Sequence, residues 1–313
     1  VIVAMVFTSI NLETVGVYNV KADENVINIA LTADWETLAP EHTDELGYGT
    51  VNQWAKVDGK LILASGSPGG LCISKGGTYR LSGRNSSGDI ETAKTNIIVK
   101  SLDGKPVNLI LDNVNIEARE AAKVSAYDSN YRVGIGAIDI QGNTVCNIIL
   151  ADGSVNTLKG YTYNAKGDTI RNTAAISVEN YHIDESNNAL ATVTINGQDK
   201  NTGYLTCTGA QCGAAIGGND GRLTGNITIN GGNITAYSGK WAAAIGDGDT
   251  IFKRWHNDGA DVGNWYVNGE NKNINCSKIE INGGNVYAMA TTATPAIGCS
   301  DQLSTSQSGT EGL

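Results

Sequence analysis

Residues 227–236 read ITINGGNITA and residues 279–288 read IEINGGNVYA, one phrase twice, 52 positions apart. A second phrase follows each copy at the same offset, AAAIGDGD at 242–249 and TPAIGCSD at 294–301. An earlier copy, GAAIGGND at 213–220, puts Ile216 29 residues before Ile245. One unit is thus about 29 residues long, and the 52-residue unit carries an extra 23, assigned to an insertion near 250–273. Weaker copies stand at 193–198 (VTINGQ), 136–143 (GAIDIQGN) and 174–180 (AAISVEN). Fixed-period repetition of this kind is the signature of stacked-repeat architectures.

The chemistry of one unit predicts short strands. Ile227 and Ile229 alternate with Thr228 and Asn230, the period-2 pattern of a strand with one apolar face. Gly231-Gly232 turns the chain, Ile234 and Ala236 give a second inward face, and Ala244-Ile245 a third. Strands this short bury a core only when the next unit stacks on them. Asn196, Asn230 and Asn282 share one slot after an Ile. They are expected to hydrogen-bond along the stack and to supply the left-handed backbone of a corner. Further strands are expected at 78–82, 96–99, 107–111 and 147–150, and no segment has helical periodicity. The expected fold is therefore all-β, a right-handed parallel β-helix spanning 61–313. Residues 1–60 hold Trp35, Trp54 and the acidic run 41–45 but no repeat, and are read as an N-terminal cap or entry strands.

Composition agrees with a narrow aliphatic core. Among 313 residues there are 39 Gly but 4 Pro, 2 Phe and 2 Met. The net charge of −10 argues against nucleic acid as a partner, since phosphate binding needs a basic footprint. No segment is long enough to span a membrane, which takes about 20 apolar residues. The apolar opening Val1–Phe7 (VIVAMVF) is instead expected to be a first strand or one lent to a neighbouring molecule, and the start at Val predicts a mature or trimmed chain. The six cysteines (72, 146, 207, 212, 276, 299) form no CxxC pair. Inter-layer disulfides and buried free thiols are both open readings. The three histidines form no metal motif, and no nucleophile elbow or phosphate loop is present.

The phrases GGTYRLSGRNSSGDI (76–90), PVNLILDNVNIEA (106–118) and GIGAIDIQGNTVCNIILADGSVNTLKG (134–160), followed by the AAIG and INGG repeats, carry a resemblance. Over residues 61–301 the chain resembles secreted bacterial β-helical carbohydrate-binding proteins, which are similar in fold to pectate-lyase-type polysaccharide lyases. INGG and AAIG phrases also occur in large bacterial adhesins. The resemblance implies a secreted or cell-surface, calcium-containing, carbohydrate-binding β-helix.

Two residue groups are the site candidates. Trp241, Trp255, Trp265 and Tyr266 cluster at the insertion, and flat aromatic rings suit stacking on sugars. Asp220, Asp247, Asp249, Asp258 and Asp261 stand beside them as candidate calcium ligands, since calcium takes six to eight oxygens from carboxylates, carbonyls and water. The expected function is calcium-assisted, adhesin-like polysaccharide binding. The alternatives are a self-assembling surface filament or sheath joined through Val1–Phe7, and a calcium-dependent polysaccharide lyase.

Overall fold

The computed structural model describes residues 2–6, 25–51, 55–56, 62–63, 70–119, 135–162, 173–178, 180–182, 188–219, 223–248, 277–291 and 294–298. The chain enters through β1 (Ile2–Val6), β2 (Ile27–Ala30), a single-turn helix α1 (Trp35–Leu38), β3 (Tyr48–Val51), the small hairpin β4 (Ala55–Lys56) and β5 (Ile62–Leu63), and β6 (Gly70–Ile73). Six strand triplets follow. The first three are β7 (Gly77–Ser82), β8 (Thr92–Lys94), β9 (Ile97–Val99); β10 (Val107–Asp112), β11 (Asn115–Glu117), β12 (Ile138–Ile140); and β13 (Val145–Leu150), β14 (Val155–Lys159), β15 (Ile176–Val178). A hairpin, β16 (Asn180–His182) and β17 (Asn188–Leu190), interrupts them. The last three are β18 (Thr192–Gly197), β19 (Tyr204–Thr208), β20 (Ile216–Gly217); β21 (Asn226–Ile229), β22 (Asn233–Tyr237), β23 (Ile245–Gly246); and β24 (Ile279–Ile281), β25 (Asn285–Ala290), β26 (Ile297–Gly298).

Each triplet contributes one strand to each of three sheets, always in the same order. The first sheet runs β2-β7-β10-β13-β18-β21-β24, the second β8-β11-β14-β19-β22-β25-β1, the third β3-β6-β9-β12-β15-β20-β23-β26. Neighbours within them are parallel, except that β3 is antiparallel to β6 and β1 to β25. The architecture is all-β, with stacked parallel strands compatible with a β-helix. The 29-residue offset separates β22 from β19 and β23 from β20, whereas the step from one layer to the next is 47 residues from Val145 to Thr192 and 52 from Ile227 to Ile279. The expected insertion falls between β23 and β24, in residues 249–276 outside the described set.

The core is a set of columns running through the layers. Leu71, Ile97, Ile138, Ile176, Ile216, Ile245 and Ile297 align in the third sheet. Tyr79, Leu109, Ile148, Ile195, Ile229 and Ile281 align in the first. Ala93, Ile116, Leu158, Cys207, Ala236 and Ala288 align in the second. They join one continuous cluster, in which each fully buried Ile or Leu contributes about 1.5–3 kcal/mol. Near the β2 end Trp35, on α1, is buried in that cluster, and the Arg119 guanidinium lies 5.9 Å from its ring centroid. Cys72, Cys146, Cys207 and Cys212 are buried and form no disulfide, so the disulfide reading does not hold for these four. Burial pushes the Cys72 thiol up to about 12.

The asparagine expectation is half right. Asn230 donates to the Asn196 Oδ1 at 3.0 Å and Asn282 donates to the Asn230 Oδ1 at 3.0 Å, an axial ladder. The left-handed backbone is taken instead by the second glycine of each INGG, Gly232 (φ 91°) and Gly284 (φ 86°). A Cβ on Gly232 would stand 2.6 Å from Leu150 Cδ1, so close packing and backbone both demand glycine there. The AIG glycines are fixed by the layer above. A Cβ on Gly217 would stand 1.9 Å from the Gly246 carbonyl oxygen, and one on Gly246 2.0 Å from that of Gly298.

Candidate functional site

Stacking gives the molecule three outer faces, and they differ. On the third sheet the outward positions Cys72, Ile98, Asp139, Ser177, Gly217 and Gly246 are all buried. On the first sheet Thr78, Asn108, Asn147, Thr194 and Thr228 form a polar column. Its amides are partly spent on one another, with Asn147 donating to Asn108 Oδ1 at 2.8 Å and Asn108 to Thr78 Oγ1 at 3.2 Å.

The outer face of the second sheet is open and carries rings and hydroxyls together. Thr157, Thr206 and Thr235 stack in one column that ends on Tyr287. A parallel column runs Lys159, Thr208, Tyr237, Met289, and another Val155, Tyr204, Asn233, Asn285. Tyr204 is 54% exposed and Val155 beside it 52%. Tyr237 and Tyr287 meet edge to face with centroids 5.9 Å apart. The strand alternation that sends Leu205, Cys207, Ile234 and Ala236 into the core necessarily sends these tyrosines and threonines outward. The structure aligns single threonines from three successive strands, a pattern visible only once strand register is known.

Trp241 is the one aromatic site candidate among the described residues. It stands at the corner between β22 and β23, is 41% exposed, and has φ 64°. A left-handed backbone at so bulky a residue is strained. The Lys240 ammonium lies 6.0 Å from its ring centroid. Residues 120–134, between β11 and β12 in the chain, and 163–172, between β14 and β15, lie outside the described set. Trp255, Trp265 and Tyr266 lie outside it too.

Of the acidic candidates, Asp220, Asp249, Asp258 and Asp261 lie outside the described residues. Asp247 is 3% exposed, and its Oδ1 accepts the Thr224 backbone N–H at 2.8 Å, which gives this carboxylate a structural task. Among the described residues no group of three or more His, Cys, Asp or Glu is placed to hold a metal. Among the described residues no helix is long and apolar enough to cross a membrane.

Sequence reasoning passed over Tyr204, Tyr237 and Tyr287. Their signal was present in the repeat itself: YLTCT, NITAY and NVYAM align in register, with a ring at the outward end or centre of each strand. Comparisons with family models, with characterised proteins and with solved structures return no match.

Proposed function

We propose that this chain is an extracellular polysaccharide-binding protein, adhesin-like, folded as a right-handed parallel β-helix. The proposed hand follows the rule that crossovers between parallel strands are right-handed in about 98% of cases. The observation that carries the binding reading is the outer face of the second sheet, where a threonine column ends on Tyr287 and is flanked by Tyr204 and Tyr237. Aromatic rings offer a rigid apolar surface with a polar edge, the match for a sugar ring's C–H face and its hydroxyls. Threonine hydroxyls both donate and accept, so a hydroxyl-rich polymer finds partners at each layer, about 4.8 Å apart. Trp241, at a strained corner where the same sheet ends, extends the aromatic surface in this reading. The resemblance of residues 61–301 to secreted β-helical carbohydrate-binding proteins points the same way. Calcium dependence is carried over on Asp220, Asp249, Asp258 and Asp261 alone.

The test is co-sedimentation with insoluble neutral and acidic polysaccharides, with calcium and then with a chelator, beside a protein-only control. Tyr204→Ala with Tyr237→Ala is expected to lower retention at least tenfold while the far-ultraviolet circular dichroism stays unchanged. Retention unaltered by that pair would remove the second sheet as the binding face. Loss with the chelator in the unsubstituted chain would support the calcium component, and retention without calcium would remove it.

A further inference from the structure

The two ends of the entry segment sit at opposite ends of the molecule. Strand β1 lies outside β25, on the last layer, in the antiparallel register Ile2↔Ala290, Val3↔Met289, Ala4↔Ala288, Met5↔Tyr287, Val6↔Val286. The next strand, β2, lies outside β7 at the far end of the first sheet. Between β2 and β24, the first-sheet strand of that last layer, there are six strand-to-strand steps, or about 29 Å at the usual spacing. Residues 7–26 connect β1 to β2, and 20 residues reach at most roughly 66–72 Å. That length lets β1 return along its own stack, and equally lets it reach the last layer of a molecule placed end-on.

We propose that β1 is exchanged between copies: Ile2–Val6 of one chain adds to β25 of a second copy in the register seen here and joins the chains head to tail. Placed end-on, the root of the donor strand at β2 lies beside the acceptor edge. Donor and acceptor are on opposite ends of one elongated body, so the contact is heterologous and propagates as an open chain. The strand suits the task. IVAMV has no glycine, proline or charge and three β-branched residues, the composition of a strong edge-pairing segment. The acceptor edge needs a cover, because Val286, Ala288 and Ala290 of β25 belong to the buried interior of the outermost layer. Pairing within one chain competes through its high effective concentration, so exchange rises with protein concentration.

The experiment uses two full-length variants, Val3→Cys and Met289→Cys, opposed across the register, co-expressed so that partners are chosen during folding. Oxidation followed by a non-reducing gel reads the result, and no polysaccharide is present, so the binding reading is not at stake. A cross-linked dimer of one variant with the other is expected, with a ladder of higher multiples when both substitutions sit in one chain. Val3→Cys paired with Lys105→Cys controls for collision. Deletion of residues 1–6 is expected to abolish concentration-dependent growth in sedimentation velocity. A doubly substituted chain that links only within itself, with no dimer in the co-expressed pair, would overturn the proposal, as would failure of either arrangement to link.

Discussion

The side-chain amide of Asn196 shows what a ladder costs at its end. Its Oδ1 accepts from Asn230, but its buried Nδ2 has no partner, because the register places Ile149 in the layer below. An unsatisfied buried donor costs about 1–3 kcal/mol. The ladder is retained because Asn230 is satisfied on both sides, by Asn196 and Asn282. Asn230→Ala breaks both bonds at once and leaves the Asn196 carbonyl bare as well. We expect it to lower stability by about 1–3 kcal/mol, read as a shift of the urea midpoint with unchanged slope. Asn282→Ala, at the outer end, is expected to cost less than half as much. Equal losses at the two positions would show that the ladder is not an energetic unit. The repeat made this row legible in the sequence. It did not show where the row stops, because Ile149 lies in a strand, 147–150, that was read outside the repeat and so without a register to Asn196.

At the scale of elements, the entry segments are where sequence reading stopped and where pH enters. The repeats announced the layers, since each strand's period-2 face agrees with its neighbours'. Residues 25–51 announced nothing of the kind, yet β2 and β3 extend two of the sheets, and Trp35 enters the core. Their placement depends on long-range pairing that no local pattern encodes. Beside the β3–β6 pairing, two bonds at Ser74 hold this region: His42 Nε2 lies 2.9 Å from Ser74 Oγ, and Ser74 N–H donates to the Gly47 carbonyl at 2.8 Å. Burial pushes the His42 imidazole below its usual 6.5, against the opposing pull of the Asp44 carboxylate. The folded state therefore binds the proton less well than the unfolded chain. Stability at His42 is intact above pH 6.5 and falls as the pH drops from there toward the lowered value. Unfolding midpoints compared at pH 8 and pH 5 are expected to drop more for the unsubstituted chain than for His42→Gln, which carries no titrating ring. An identical drop in both would assign the acid sensitivity elsewhere. The same element-level limit hid the binding face: single tyrosines in separate strands become a surface only after stacking.

At the scale of the whole molecule, a stack of layers has ends, and they are not equally covered. One continuous core runs from Ile29 to Ala296, but its last layer is thinner. Ile279, Ile281 and Ile297 are partly exposed, while their counterparts Ile227, Ile229 and Ile245 one layer in are fully buried. In a quasi-one-dimensional stack each layer is stabilised by its neighbours, so opening begins where a neighbour is missing. Among the described residues β24 and β26 have a paired strand on one side, whereas β25 has β22 on one side and β1 on the other. Hydrogen exchange followed by mass spectrometry is therefore expected to be fastest in β24 and β26, slower in β25, and slowest in the central layers from β10 to β22. Removing residues 1–6 should bring β25 to the rate of β24 and leave the central layers unchanged. A uniform rate along the stack would mean that the molecule opens only as a whole, and that the entry strand contributes no local protection to the last layer.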